Sequence, residues 1–600
     1  MKEGKVLYFR GLNDKGLKSF FKSFFATLLA LVVFFGLIFI LFFGIAGALL
    51  ADEQVKIDKK SVLVIDLSKR LNDRKIDDPF AEFSGDEAYP ELSKAVKLIK
   101  YAAKDSLIKG IYLIAKDNGN GAASSTELRS ALLEFKKSKK FIIAFGDYIS
   151  QSAYSIAALS DKVYCHPQGM FEWQGMSVEY VFFKSLLDRL EIKPQIFYAG
   201  KFKSATEPFR ETSMTPANKE QTQVWLNDLY TEMLSKVAES RGMSADSLKL
   251  YAEQFRIDAP EKAVQYKLID GLKYDDEVKQ EIKSTLGIAK ADKINFVSLA
   301  DYEKAADLSN EYAKDKIAVV YAEGDIMYGK PSPETITSDE YLSILRNIRF
   351  DKSVKAVVLR VNSPGGSSLA SEIIWREIEM IKKEGKKVVV SMGNVAASGG
   401  YYIACNANRI FVQPNTITGS IGVFSVIPDF SSFMKNKLGV TFDGVATSKY
   451  ADVPSITRAM TEEEKKIIQH EVDKIYLTFK TRVAEGRKLD LSYVDSIAQG
   501  RVWTGKRAIE LKLADQIGGL EEAIAAAVKM SGVKSYRVKS YPEPKSFFEY
   551  IVNVYPDELS RSSLRKELGA EEYELFLRLK ELKNEKGEIK ARMPFELSIH

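Results

Sequence analysis

Lys139-Lys140-Phe141-Ile142-Ile143-Ala144-Phe145-Gly146 and Lys386-Lys387-Val388-Val389-Val390-Ser391-Met392-Gly393 are two copies of one pattern. Each is a lysine pair, a short apolar run and a closing glycine, offset by 247 residues. The register continues without a gap. Asp161-Lys162-Val163-Tyr164 falls opposite Asn408-Arg409-Ile410-Phe411, Pro167 opposite Pro414 and Gly175 opposite Gly422. Farther on, Met214-Thr215 matches Met460-Thr461 at 246, and Ala263 and Asp270 match Ala508 and Asp515 at 245. Upstream, Ile111-Tyr112-Leu113-Ile114 matches Val357-Val358-Leu359-Arg360. A period this long is no solenoid; it is a duplicated domain.

Working outward, each copy alternates strand and helix signals. In the second, strands are expected at Ile317–Ala322, Ala356–Val361, Lys387–Met392 and Arg409–Gln413, with helices at Ser368–Glu384 and Gly400–Asn406. Alternation at this spacing implies α/β domains with parallel strands and right-handed crossovers. Both faces of such a sheet are covered, which accounts for the unbroken apolar strands. A length of 600 residues would allow roughly three to five ordinary domains; the duplication points to two large ones. The expected division is a first α/β repeat over 55–300, a second over 315–540, and a C-terminal helical appendage or tail over 541–600, with charged helical sequence at Arg561–Lys590.

The amino-terminal part has another character. Lys2, Lys5, Arg10, Lys15, Lys18 and Lys22 stand against Glu3 and Asp14 in a basic segment over 1–22. From Ser23 to Ala51 there is no charge. About 20 apolar residues span a bilayer, and a cleaved signal peptide has a shorter apolar region of about 7–15. Residues 23–51 are therefore expected to be a single membrane anchor. The basic flank keeps the amino end in the cytoplasm and places the rest outside it.

Counts narrow the chemistry. A net charge of +6, from 87 basic and 81 acidic residues, does not point to nucleic acid. Two cysteines, Cys165 and Cys405, and three histidines, His166, His470 and His600, exclude a zinc finger or a disulfide framework. No metal or cofactor is implied, and a catalytic histidine has only three candidates. His470 falls in a charged, solvated helix, and none of the three sits in a convincing motif.

Two turns in the second copy carry chemistry. Asn362-Ser363-Pro364-Gly365-Gly366-Ser367 follows a strand, and a Gly-Gly turn can point free N–H groups at an anion. Gly393-Asn394-Val395-Ala396-Ala397-Ser398-Gly399-Gly400-Tyr401 lies between strand and helix. Read locally, Ser398 is either a helix N-cap or a nucleophile with an oxyanion site at the following helix start. The first copy separates these readings. Gln151 falls opposite Ser398, Ser152-Ala153 opposite Gly399-Gly400, and Asp117-Asn118-Gly119-Asn120 opposite the Gly-Gly turn. A fold-only requirement would act on both copies, so the second is expected to hold the working site. With no placed histidine, a neutral lysine is the candidate base, and Gly200-Lys201-Phe202-Lys203-Ser204-Ala205-Thr206-Glu207-Pro208-Phe209 is the candidate stretch, although composition alone does not choose among so many lysines.

That stretch resembles the lysine motif of the long, duplicated form of the signal peptide peptidase A (protease IV) family. Asn362–Gly366, Ala397–Tyr402, Gly419-Ser420-Ile421-Gly422-Val423 and Gln499-Gly500-Arg501-Val502-Trp503-Thr504-Gly505 resemble its other motifs, in order, over nearly the whole chain. The resemblance implies tandem crotonase/Clp-protease-like domains behind one transmembrane helix, and a serine endopeptidase that degrades released signal peptides and other apolar peptides. It implies Ser398 as nucleophile, Lys203 as general base, Ser420 as the residue orienting the lysine, and Gly366 and Gly399 as the oxyanion site. It also implies a homotetramer at an inner membrane. At the 246 offset Lys449 falls opposite Lys203 and is the alternative base. Two rivals stand beside this reading: crotonase-like acyl-CoA chemistry, and an inactive membrane-anchored scaffold that binds peptides.

Overall fold

The computed structural model describes residues 14–49, 56–74, 89–306, 313–331, 335–543 and 589–593. The chain forms two compact units, Met1–Lys56 and Ile57–His600. In the first, a single helix runs Asp14–Leu49 and takes in part of the basic flank as well as the apolar run. Its Phe21–Ile38 window has a mean hydropathy of 2.2, and none of that window is buried within the protein. At 1.5 Å per residue the helix is about 54 Å long, more than a bilayer core requires.

The second unit carries two parallel α/β sheets. In the first half the strands lie in the order Gly271–Leu272, Lys162–Phe171, Phe141–Ile149, Ile108–Ile114, Ser61–Asp66 and Phe296–Ser298, all paired in parallel. In the second half Lys387–Ala397, Val354–Ser363, Lys316–Glu323 and Arg537–Tyr541 repeat that parallel core. Ile417–Gly419 and an antiparallel edge strand, Val502–Thr504, extend it. Strands of β-branched residues buried on both faces account for a main apolar core in each half and a smaller apolar cluster on the other face of each sheet. The helices Ser368–Lys383 and Gly399–Ala404 stand where the sequence places helices. The strand from Lys387 runs five residues beyond the expected Met392 and ends directly at Ser398.

The two halves are joined by more than a linker. Strand Lys193–Ala199, from the first half, pairs antiparallel with Val423–Asp429 of the second over seven residues. Phe197 and Ala199 accordingly belong to the second core. Elsewhere Arg360 is buried with its guanidinium on Asp73 at 2.9 Å and Glu127 at 2.8 Å, and it donates to the Ser391 hydroxyl at 2.8 Å. Asn394 Oδ1 accepts from the N–H groups of Ala123 and Ser124, both at 3.0 Å.

Residues 1–13, 544–588 and 594–600 of the expected terminal segments lie outside the described residues, His600 among them. Within the expected helical tail, Lys590–Arg592 is a strand rather than a helix.

Candidate active site

Ser398 sits where strand Lys387–Ala397 turns into helix Gly399–Ala404. Its backbone is held at φ 55°, ψ −116°, a conformation that costs a non-glycine residue about 1–3 kcal/mol. Its N–H donates to the Gly419 carbonyl at 2.8 Å. In this geometry the hydroxyl makes no N-cap hydrogen bond. Capping needs an extended residue whose side chain leans over the first turn, so the N-cap reading fails. The hydroxyl instead lies 3.4 Å from the Gly422 carbonyl and 2.9 Å from Lys203 Nζ.

Lys203 reaches this point because strand Lys193–Ala199 crosses into the second half just before it. The turn that follows packs backbone against backbone. Phe202 N–H donates to the Gln499 carbonyl at 2.7 Å. Gly500 has φ 73°, and a Cβ there would lie 2.6 Å from Lys203 Cβ; only glycine suits both conditions. Gln221 adds a clamp, donating to the Phe202 carbonyl at 3.0 Å and to Ser204 Oγ at 2.9 Å. Glu207, in the same motif, is buried and accepts from Thr215 Oγ1 at 2.6 Å and Asn218 Nδ2 at 2.9 Å. Its role is to hold the turn.

The Lys203 ammonium nitrogen also meets Ser420 Oγ at 3.1 Å and donates to the Ser420 carbonyl at 3.2 Å. Lys203 is 1% exposed, and Ser398 and Ser420 are 0% exposed. Burial, with no carboxylate offsetting it among the described residues, pushes the lysine pKa well below its usual value. An amine in that state accepts a proton from a hydroxyl it touches.

The structure thus brings Ser398, Lys203 and Ser420 together. Gly399 follows Ser398, and Gly365–Ser367 forms a short strand beside it. Gly366 has φ 152°, and a Cβ there would lie 2.0 Å from the Ile326 carbonyl oxygen. Lys449 is not brought in. It is exposed on a loop, and its ammonium pairs with Glu463. His470 is exposed. The His166 ring accepts from Gln168 N–H at 3.1 Å within the first half. Sequence reasoning missed Gln221, the Gly422 carbonyl and the Ser420 carbonyl. Gln221 lies in a polar helix with nothing to mark it, and backbone groups leave no trace in a sequence.

Residues 134–289 and 380–534 match Peptidase family S49, and residues 309–418 match the Clp protease family. The chain is 35% identical to "Protease 4" of Salmonella typhi over 466 residues, covering 76% of this chain and 75% of that protein. It is 34% identical to "Protease 4" of Haemophilus influenzae over 516 residues, 83% and 84% of the two chains. "Serine protease SPPA, chloroplastic" of Arabidopsis thaliana is 31% identical over 492 residues, 81% and 71% of the two.

Proposed function

The chain belongs to peptidase family S49 and is a serine-type peptidase, and from that premise we propose that Ser398 is its nucleophile and Lys203 its general base. One observation carries this: a buried lysine nitrogen, held by Ser420, lies 2.9 Å from a serine hydroxyl on a strained turn. Neutral Lys203 takes the Ser398 proton as Oγ attacks a peptide carbonyl carbon. N–H groups of Gly366 and Gly399 hold the oxyanion. The lysine then protonates the leaving amine, and water releases the acyl group. Ser420 orients the lysine. Lys449, exposed and ion-paired, takes no part.

The halves divide the labour, with the repeat at 55–300 contributing the base and the repeat at 315–540 the nucleophile. The apolar run at 23–51 anchors the enzyme in an inner membrane, with helix Asp14–Leu49 as its described part, and the catalytic region on the extracytoplasmic side. Substrates are released signal peptides and other apolar peptides met near the bilayer. The working assembly is a homotetramer. Carbonate extraction of membranes tests the anchor, and light scattering in detergent tests the assembly.

The decisive experiment is fluorophosphonate labelling of the detergent-solubilised enzyme across pH, with Ser398, Lys203 and Lys449 variants. Labelling at Ser398 that rises toward alkaline pH and vanishes in Lys203→Ala supports the dyad. A wild-type enzyme that cleaves peptide but is not labelled at Ser398 overturns it.

A further inference from the structure

The turn that carries Lys203 and the loop that carries Ser420 meet at one residue, Arg501. Its backbone immediately precedes the edge strand Val502–Thr504. The Arg501 carbonyl accepts from Ser420 N–H at 2.7 Å, and the neighbouring Gly419 carbonyl accepts from Ser398 N–H at 2.8 Å. Ser420 has φ 50°, a left-handed conformation that a serine keeps only where its surroundings impose it. The antiparallel pairing of Gly419 with Val502 supplies that constraint. The edge strand thus sets where Ser420 offers its hydroxyl and its carbonyl to the Lys203 nitrogen.

The Arg501 side chain reaches across to the first half. Its guanidinium carbon lies 4.7 Å from the centre of the Phe202 ring and 4.5 Å from that of Trp503. Both are within the roughly 6 Å at which a ring face attracts a cation. The Trp503 ring is itself fixed, its Nε1 donating to the Ile497 carbonyl at 2.9 Å. Phe202 immediately precedes Lys203. Arg501 Nη1 pairs with Glu220 at 3.1 Å, on helix Pro216–Arg241 beside the Gln221 clamp. Arg501 Nε has no hydrogen-bond partner among the described residues, so the rings and Glu220 hold this group. Lys201 is the other cation near Phe202, farther away at 5.4 Å.

We propose that Arg501 is a positioning residue for the base: tied to Ser420 through its carbonyl and stacked on Phe202 through its guanidinium, it seats Lys203 against Ser398 and keeps the lysine nitrogen out of water. This rests on the Ser398–Lys203 reading above. The duplication provides a control. Arg256 stands 245 residues earlier, at the matching position of the first half. There Nε donates to Gln254 Oε1 at 2.7 Å, and the guanidinium carbon is 5.9 Å from the Tyr251 ring. The same residue type thus serves its own turn in one half and bridges to the base in the other.

The test compares Arg501→Met, Phe202→Leu and Arg256→Met with the wild-type full chain in detergent. It reads kcat and KM for an apolar reporter peptide, the pH profile of kcat/KM and the melting temperature. Arg501→Met should lower kcat by about 10–100-fold with KM changed less than about twofold, because a 1 Å displacement of a reacting group can cost about that much. Water reaching Lys203 raises its pKa toward the ordinary value, so the acid limb of the profile should move to higher pH. Phe202→Leu keeps Arg501 and removes one ring; its limb should move the same way by less, and it decides the matter if Arg501→Met does not fold. Arg256→Met should leave kcat and the limb at their wild-type places. Wild-type kcat in Arg501→Met overturns this inference, as does a lower melting temperature with an unmoved limb, or the same kcat loss in Arg256→Met. Wild-type kcat/KM in Lys203→Ala overturns the assignment of the base, and this inference with it.

Discussion

The two halves meet the same structural problem, a strand entering a helix beside a glycine loop, and solve it differently. In the first half Ser150 is an ordinary cap, extended at φ −68°, accepting from Ala153 N–H at 3.2 Å. Gln151 then fastens the loop. It donates to the Gly175 carbonyl at 2.9 Å and accepts from the Gln174 and Gly175 N–H groups at 3.0 and 2.9 Å. In the second half Ser398 faces the matching Gly422 carbonyl at 3.4 Å, with a strained backbone and a short side chain. The long amide satisfies its loop; the shorter serine instead meets the Lys203 amine at 2.9 Å. The fold-forming corner and the one proposed to react thus differ in what the side chain leaves unsatisfied.

The strongest way to break the comparison is to remove the reactive side. Ser398→Ala or Lys203→Ala should lower kcat/KM for peptide hydrolysis by about 10⁴-fold or more. Lys449→Ala should leave most of it. Activity lost with Lys449 and kept without Lys203 would reverse the division between the halves.

Next in size is the contact holding the halves in register. Arg360→Met strands Asp73 and Glu127, so unfolding in urea should show a loss of about 3–5 kcal/mol. A near-neutral result would mean the carboxylates find water or protons instead. Gln151→Ala, at the position matching Ser398, should cost about 0.5–1.5 kcal/mol by removing its hydrogen bonds to the partly exposed Gln174 and Gly175 backbone. It should spare kcat, the opposite pattern from Ser398→Ala.

The smallest effect sharpens the electrostatics. The folded-state pKa of Lys203 lies below its unfolded value, so between the two the unfolded chain binds the extra proton. Wild-type stability therefore rises with pH relative to Lys203→Met, by at most about 1.4 kcal/mol per pH unit. Melting temperatures of the two should converge from acid toward alkaline pH. A constant gap would mean that the lysine is charged in the fold. For the same reason kcat/KM should rise with pH as Lys203 loses its proton.

Much of this was legible in sequence because duplication supplies its own control. Gln151 opposite Ser398 sets the two strand-to-helix corners apart in the sequence alone, and strands such as Val354–Ser363 follow from unbroken apolar runs. Two features have no signature in the sequence. Lys449 aligned with Lys203, but alignment does not report that strand Lys193–Ala199 leaves its own half and carries one lysine away. Lys590–Arg592 sits in charged sequence of helical character, yet it is a strand because it pairs on both sides, with Gly365–Ser367 and Val423–Asp429, far away in the chain. Backbone pairing with a distant edge has no local signal.

The crossing strand also bears on inheritance. After a duplication, one copy is normally free to decay, because the other is self-sufficient. Here the copy without the serine carries the proposed base, Lys203, just past the end of strand Lys193–Ala199, and the copy with the serine has its corresponding lysine turned to solvent. Neither copy can be discarded, and a single substitution would not make either independent. Repair would require a lysine, its backbone clamp and its burial to arise together in one half. The exchange of one strand thus acts as a ratchet that keeps two domains in one gene.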